Sequence, residues 1–207
     1  MTTLRVFRAG LLSAMLAGTQ FAAGATQPHP AATSKPVQKA SFIPASFQAP
    51  IEVKTAFFKL VPLSPAVVKV DFDAYMSSIE HLQTTFTRST DWPRKDITAA
   101  DAIKDMDSEW GRFQRRESFA YAVLTPDGRR ELGSVYISPC PVPGYDAVVR
   151  MWVTKADFDA GFDAKLYAWV TDWLRKDWPF KKVAYPGRAI DWKIWDPLVA
   201  ASTPAKK

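Results

Sequence analysis

The chain has 207 residues, 47% hydrophobic and 23% charged, which gives room and material for one domain with a buried core. Its net charge of +6 would suit a nucleic-acid binder, but the excess lies in Arg5, Arg8, Lys35, Lys39, Lys206 and Lys207, at the two ends. Between Val53 and Pro197 there are 21 Lys and Arg against 20 Asp and Glu, with no block of like charge, which argues against a nucleic-acid partner.

Arg5 and Arg8 precede the apolar run "AGLLSAMLAG", and Ala23-Gly24-Ala25 places small residues where a signal peptidase cuts. Residues 1–25 are therefore predicted to be a signal peptide, with a mature start near Thr26 and an exported, periplasmic destination; without cleavage of such a signal the expected place is the cytoplasm. After cleavage no apolar run is long enough for a stable membrane span. Residues 26–52 are rich in Pro, Ala, Ser and Thr without a sustained period, and are expected to form a disordered linker. The folded domain is expected over 53–197 and a flexible tail over 198–207.

Within the domain, "FFKLVPL" (57–63) reads as a strand ended by proline. Tyr75, Ile79, Leu82 and Phe86 then recur at helical spacing behind an acidic start, with His81 off the stripe and expected in solvent. A second helix opens at Thr98, where Asp101 three residues on completes a capping box, and runs with Ile103, Met106, Trp110 and Phe113 on one face. "FAYAVLTPDGRRELGSVYIS" is a β-hairpin, because Pro126 presets the turn and Gly128 accepts positive φ. "DAVVRMWV" (146–153) is the next strand. A loop with one glycine leads into a helix burying Phe162, Leu166, Trp169, Val170 and Trp173, which Pro179 stops. "KKVAYPG" (181–187) is the last strand.

This order gives an α+β (α/β mixed-sheet) fold in a single domain, with helices on both faces of the sheet. The only cysteine, Cys140, excludes an intrachain disulfide. With only His29 and His81 to accompany it, no Cys–His pair and no metal site is assigned.

The element order, with "FAYAVLTPDG", "LGSVYISP", "DAVVRMWV" and "DWPFKKVAYPGR" in succession, resembles a bacterial branch of the GNAT N-acetyltransferase superfamily over about residues 57–192. The resemblance implies a central sheet whose fourth and fifth family strands splay apart. Acetyl-CoA would lie in that gap, with its diphosphate on the N-terminus of the following helix. It places Trp152, Val153, Thr154, Gly161, Phe162 and Asp163 as cofactor-binding residues. The family's loop pattern, Gln/Arg-x-x-Gly-x-Gly/Ala, falls on Phe158, Gly161 and Asp163, and only the glycine matches. Asp157, Asp159 and Asp163 put negative charge where a diphosphate would come, which Lys155 and Lys165 would partly offset.

The family's general base, a Glu near the start of its fourth strand, falls on Ala147. Asp146 beside it and Glu109 on the preceding helix are the catalytic candidates, with Glu117 a further carboxylate. About twenty residues follow Gly187, where the family usually adds a helix and two strands. Trp192 and Trp195 are expected to cover the open sheet edge or to line an apolar pocket. Two readings follow. One is a GNAT-like N-acetyltransferase moving an acetyl group from acetyl-CoA to a small-molecule or peptide amine. The other is an exported, catalytically silent protein of the same fold that binds a small molecule or a protein.

Overall fold

The computed structural model describes residues 41–202. The signal peptide expected over 1–25, the linker over 26–40 and the tail beyond residue 202 lie outside the described residues. Short strands β1 (Val53–Lys54) and β2 (Lys59–Pro62) open the fold. Helix α1 (Val68–Met76), the single turn α2 (Ile79–Leu82) and a π-turn over Gln83–Thr87 follow. Next come α3 (Ala99–Gln114), β3 (Phe119–Leu124), β4 (Glu131–Pro139) and β5 (Ala147–Val153). The remainder is α4 (Lys155–Asp159), α5 (Phe162–Asp177), β6 (Val183–Ala184) and α6 (Trp192–Ser202).

The strands form one mixed sheet in the order β1-β2-β3-β4-β5-β6, antiparallel throughout except for the parallel pair β5–β6. Alternation along the strands sorts two layers of core. Phe119, Tyr121 and Val123 of β3, with Val149, Met151 and Val153 of β5, pack against Leu166, Val170, Trp173 and Leu174 of α5. Ala120, Ala122 and Leu124 face Met106 of α3 on the other side, and Trp152 faces Ala74, Tyr75 and Leu82 there. Every residue of β3 is buried, as a strand covered on both faces must be. Among the described residues no helix is long and apolar enough to cross a membrane.

Two boundaries move. The linker expectation fails over 41–52, because Ile43 is fully buried in the main core and Phe42 and Phe47 stack on Phe180 and Trp178. Tyr121 Oη also donates to the Pro50 carbonyl (2.9 Å), fixing the segment across β3. At the other end, residues 198–202 are helical, and Trp195 buries itself against Val142 and Ala184. The first long helix is also broken. Ser78 leaves helical geometry and its hydroxyl takes the Lys155 N–H (2.9 Å), tying α2 to α4. On α3 the capping box forms as read, but Ile103 stands 48% exposed and Ala102 takes the buried position.

Candidate functional site

The site begins where the sheet comes apart. Asp146 closes the fork: its N–H donates to the Lys182 carbonyl (2.8 Å), and its carboxylate accepts the N–H groups of Lys181 (2.7 Å) and Lys182 (2.8 Å). Pairing then runs for two residues only, Ala147 with Val183 and Val148 with Ala184. Beyond Ala184 the chain turns away through Tyr185 and Pro186, which has no N–H to continue a ladder. Gly187, at φ +75°, donates to the Ile190 carbonyl (2.7 Å) and completes the turn. Among the described residues, no strand thus lies beside residues 149–153 of β5 on that edge. Tyr185 follows directly on the last paired residue, so it and Trp152 lie on adjacent, diverging segments.

The gap opens into a cleft of about 330 Å³. Its walls include Met151, Trp152 and Val153 from β5, His81 and Phe86 from the α2 region, Phe158 and Asp163 from the α4–α5 corner, and Gly187, Arg188 and Trp192. Three arginines line it: Arg88, Arg150 and Arg188. Arg88 pairs with Asp196 (3.0 Å) and stacks over the Trp192 ring at 4.0 Å. Arg188 grips Asp163 through two bonds of 2.8 and 2.7 Å, both groups being about four-fifths buried. That ion pair joins the first turn of α5 to the segment after β6, at the mouth of the gap.

The predicted loop between β5 and α5 is instead the short helix α4, capped by Thr154, whose hydroxyl oxygen accepts the Asp157 N–H (3.2 Å). The Thr154 side chain is thereby a structural cap and does not line the cleft. Asp157 is held by Arg130 (2.6 Å) and Asp159 by Lys155 (2.5 Å), so of the three loop carboxylates only Asp163 stands in the cleft wall. The Phe162 ring meets Phe58 at 5.7 Å and joins the main core, which leaves the expected cofactor role to its backbone N–H at the start of α5. Gly161 caps α5 at φ +74° with open space around it, so backbone conformation and not close approach calls for glycine there.

Neither catalytic candidate lines the cleft. The two backbone bonds to Asp146 hold its carboxyl below the usual range, and it lies at the closed end of the fork. Glu109 is ion-paired to Arg112 and faces a different pocket, with Asp71, Asp105, Trp92 and Tyr136. Glu117 is bonded to Arg115 on the surface (3.0 Å). The residue that sequence reasoning misplaced is His81. It is half-buried against the Phe158 ring at 4.8 Å, and burial, then Lys155, push its pKa below the ordinary imidazole value. A half-turn offset from an apolar stripe marks solvent on an isolated helix. Here α4 packs over that flank and turns it into a cleft wall. The two tail tryptophans divide the roles foreseen for them, since Trp195 covers the β6 edge and Trp192 lines the cleft.

A mixed sheet forked in this way can hold an extended chain along an open strand edge beside a neutral imidazole. No protein-family model matches the chain, and no curated protein matches it. Among solved structures, the ribosomal-protein-S5-alanine acetyltransferase of Vibrio fischeri is similar with a TM-score of 0.51 at 11% identity, covering 74% of this chain and 82% of that one. A GnaT-family acetyltransferase from Bordetella pertussis is similar at 18% identity with a TM-score of 0.44, covering 60% and 72%. From the Vibrio fischeri likeness together with the strand order and the fork, the chain has the fold of the GNAT acetyltransferases.

Proposed function

We propose that the chain is a GNAT-type acyltransferase that takes acetyl-CoA in the fork and passes its acetyl group to an amine. The observation that carries this reading is the two-residue pairing of β5 with β6, which leaves residues 149–153 able to hydrogen-bond an extended ligand arm. The fit is good along the strand and poor at the α5 end, where Asp163 stands at the place of a diphosphate. Acetyl-CoA, when bound, supplies an acetyl thioester open to attack by an amine. The chain's own part is to hold the arm on β5, to exclude water behind Phe86, Phe158 and Trp192, and to accept the amine proton on His81.

Two measurements test this. Calorimetry with acetyl-CoA is expected to show weak binding to the wild-type chain and at least about tenfold tighter binding to Asp163→Asn, a gain of roughly 1.4 kcal/mol. No heat with either protein would sink the acyltransferase reading. Equal affinities would sink the role given to the ion pair. Second, His81→Gln is expected to lower turnover, followed as thiol release, by roughly a hundredfold with acetyl-CoA affinity unchanged. The wild-type rate should rise with pH through a midpoint below the ordinary histidine value, because burial favours the neutral ring. If the variant keeps that limb, His81 is not the proton acceptor.

The second reading is an exported protein of the same fold, and its catalytic silence is favoured by one feature, the Arg188–Asp163 pair lying across the mouth of the gap. It shares the cleft but expects no acetyl-CoA binding by the wild-type chain or by Asp163→Asn.

A further inference from the structure

A guanidinium removed from solvent normally has an anion beside it, since an unpaired charge in a low-dielectric site is costly. Arg150 does not meet that expectation. It projects from the middle of β5 on the same face as Trp152, is half-buried, and lines the cleft. Among the described residues no carboxylate pairs with it, whereas its neighbours Arg88 and Arg188 have Asp196 and Asp163. One of its N–H groups donates to the Phe86 carbonyl. Its Cζ lies 4.4 Å from the centre of the Phe86 ring and 5.9 Å from that of Trp192. Burial, then the nearby Arg88, depress its pKa, so both work against the charge that the side chain carries. A guanidinium packed beside the Phe86 ring, with one N–H on a carbonyl, keeps further donors in a planar fork, the geometry that matches two oxygens of an oxyanion.

The cleft therefore offers an anion site and, in His81, a proton acceptor, within one small volume. We propose that the cleft takes a small amine that also bears a carboxylate, with the carboxylate on Arg150 and the amine toward His81. The pairing of one oxyanion with one amine is what an amino acid presents. That the bound amine is the acetyl acceptor rests on the acyltransferase reading, but the anion site itself does not.

The test uses the full chain without acetyl-CoA. The indole ¹H–¹⁵N signal of Trp192, assigned with Trp192→Phe, is followed during titration with the common L-amino acids, with their carboxamides and with inorganic phosphate. At least one free amino acid is expected to shift that signal saturably, with its carboxamide binding about tenfold more weakly or worse. Arg150→Met, which keeps the stem packed on Phe86, should abolish the difference while leaving the rest of the spectrum in place. Arg150→Lys should recover part of it. Equal binding of acids and carboxamides, a preference that survives in Arg150→Met, or phosphate outcompeting every carboxylate would overturn the proposal. Should amino acids bind as described while acetyl-CoA does not bind at all, the carboxylate site stands and only the acyltransferase reading falls.

Discussion

Glu131→Gln is expected to make the protein more stable near neutral pH and above, and to flatten a loss of stability that the wild type shows as pH rises. Glu131 opens β4 fully buried, and Asp71 of α1 is 7% exposed beside it. Ser134 donates to one Glu131 oxygen (2.7 Å), while Glu131 Oε2 and Asp71 Oδ1 have no donor at all. Two buried carboxyl groups in this position share a proton, for which no other donor is supplied. Burial pushes Asp71 up to about 7, with Glu109 and Asp105 adding to the effect, and it raises Glu131 well above the carboxylate range. The folded state thus binds protons that the unfolded chain releases at lower pH. Stability from this pair is fully present at acid pH, below the unfolded carboxylate pKa, and is lost as pH climbs toward about 7. Carried from the ordinary aspartate value to about 7, the loss is on the order of 4 kcal/mol. A glutamine amide can donate to Asp71 without a proton from solvent, so the part of the loss that belongs to Glu131 disappears, while burial goes on raising Asp71. Urea titrations at about pH 5 and about pH 8 measure it: the gain should be several kcal/mol at the higher pH and small at the lower. A wild type equally stable at both, or a variant weaker at about pH 8, would show that the pair is not proton-linked.

This pair also shows where the sequence stops being informative. Asp71 sits in an acidic helix start, where a carboxylate is expected to face solvent and favour the helix dipole, and nothing local marks it as buried. Its partner lies sixty residues on, and the other partners that shape the site are also distant in sequence: Ser78 with Lys155, Arg130 with Asp157, Asp163 with Arg188. What was legible is what depends on neighbours in the chain. The Thr98–Asp101 cap, the turn at Gly128 and the stripe from Leu166 through Val170 to Trp173 all appear as read. The fork was legible only through the family resemblance, since periodicity tells that β5 and β6 are strands and not how far they pair. The packed segment at 41–52 was missed for a related reason: a Pro- and Ser-rich composition hides a single anchoring isoleucine that reads as incidental without its core.

Among the glycines of the described residues, Gly133 is where replacement by alanine should be most damaging, and the reason lies in the wall of the cleft. Gly133 of β4 faces Val153 of β5 across the ladder. A methyl group there would stand 2.0 Å from the Trp152 carbonyl oxygen and 2.7 Å from Val153 Cα. These are backbone atoms, so no rotamer change relieves the clash. Either β5 moves off β4 at its C-terminal end, or the Trp152 peptide rotates out of the sheet. Both disrupt the ladder, and both displace the strand edge that frames the fork. A cost of at least about 3 kcal/mol follows, at the upper end of overpacking, and an alanine variant that does not fold is within expectation. Gly144→Ala supplies the control, since that residue has φ +85° but nothing within 4 Å of an added methyl. It should lose only the cost of a left-handed backbone, about 1 kcal/mol. The difference between the two, read from denaturant midpoints on the same day, isolates the close approach of β4 and β5 from the general penalty of replacing glycine. If Gly133→Ala costs no more than Gly144→Ala, then the strands are free to part at that point, and the rigid β5 edge on which the proposed acetyl-CoA and carboxylate sites both depend is not there.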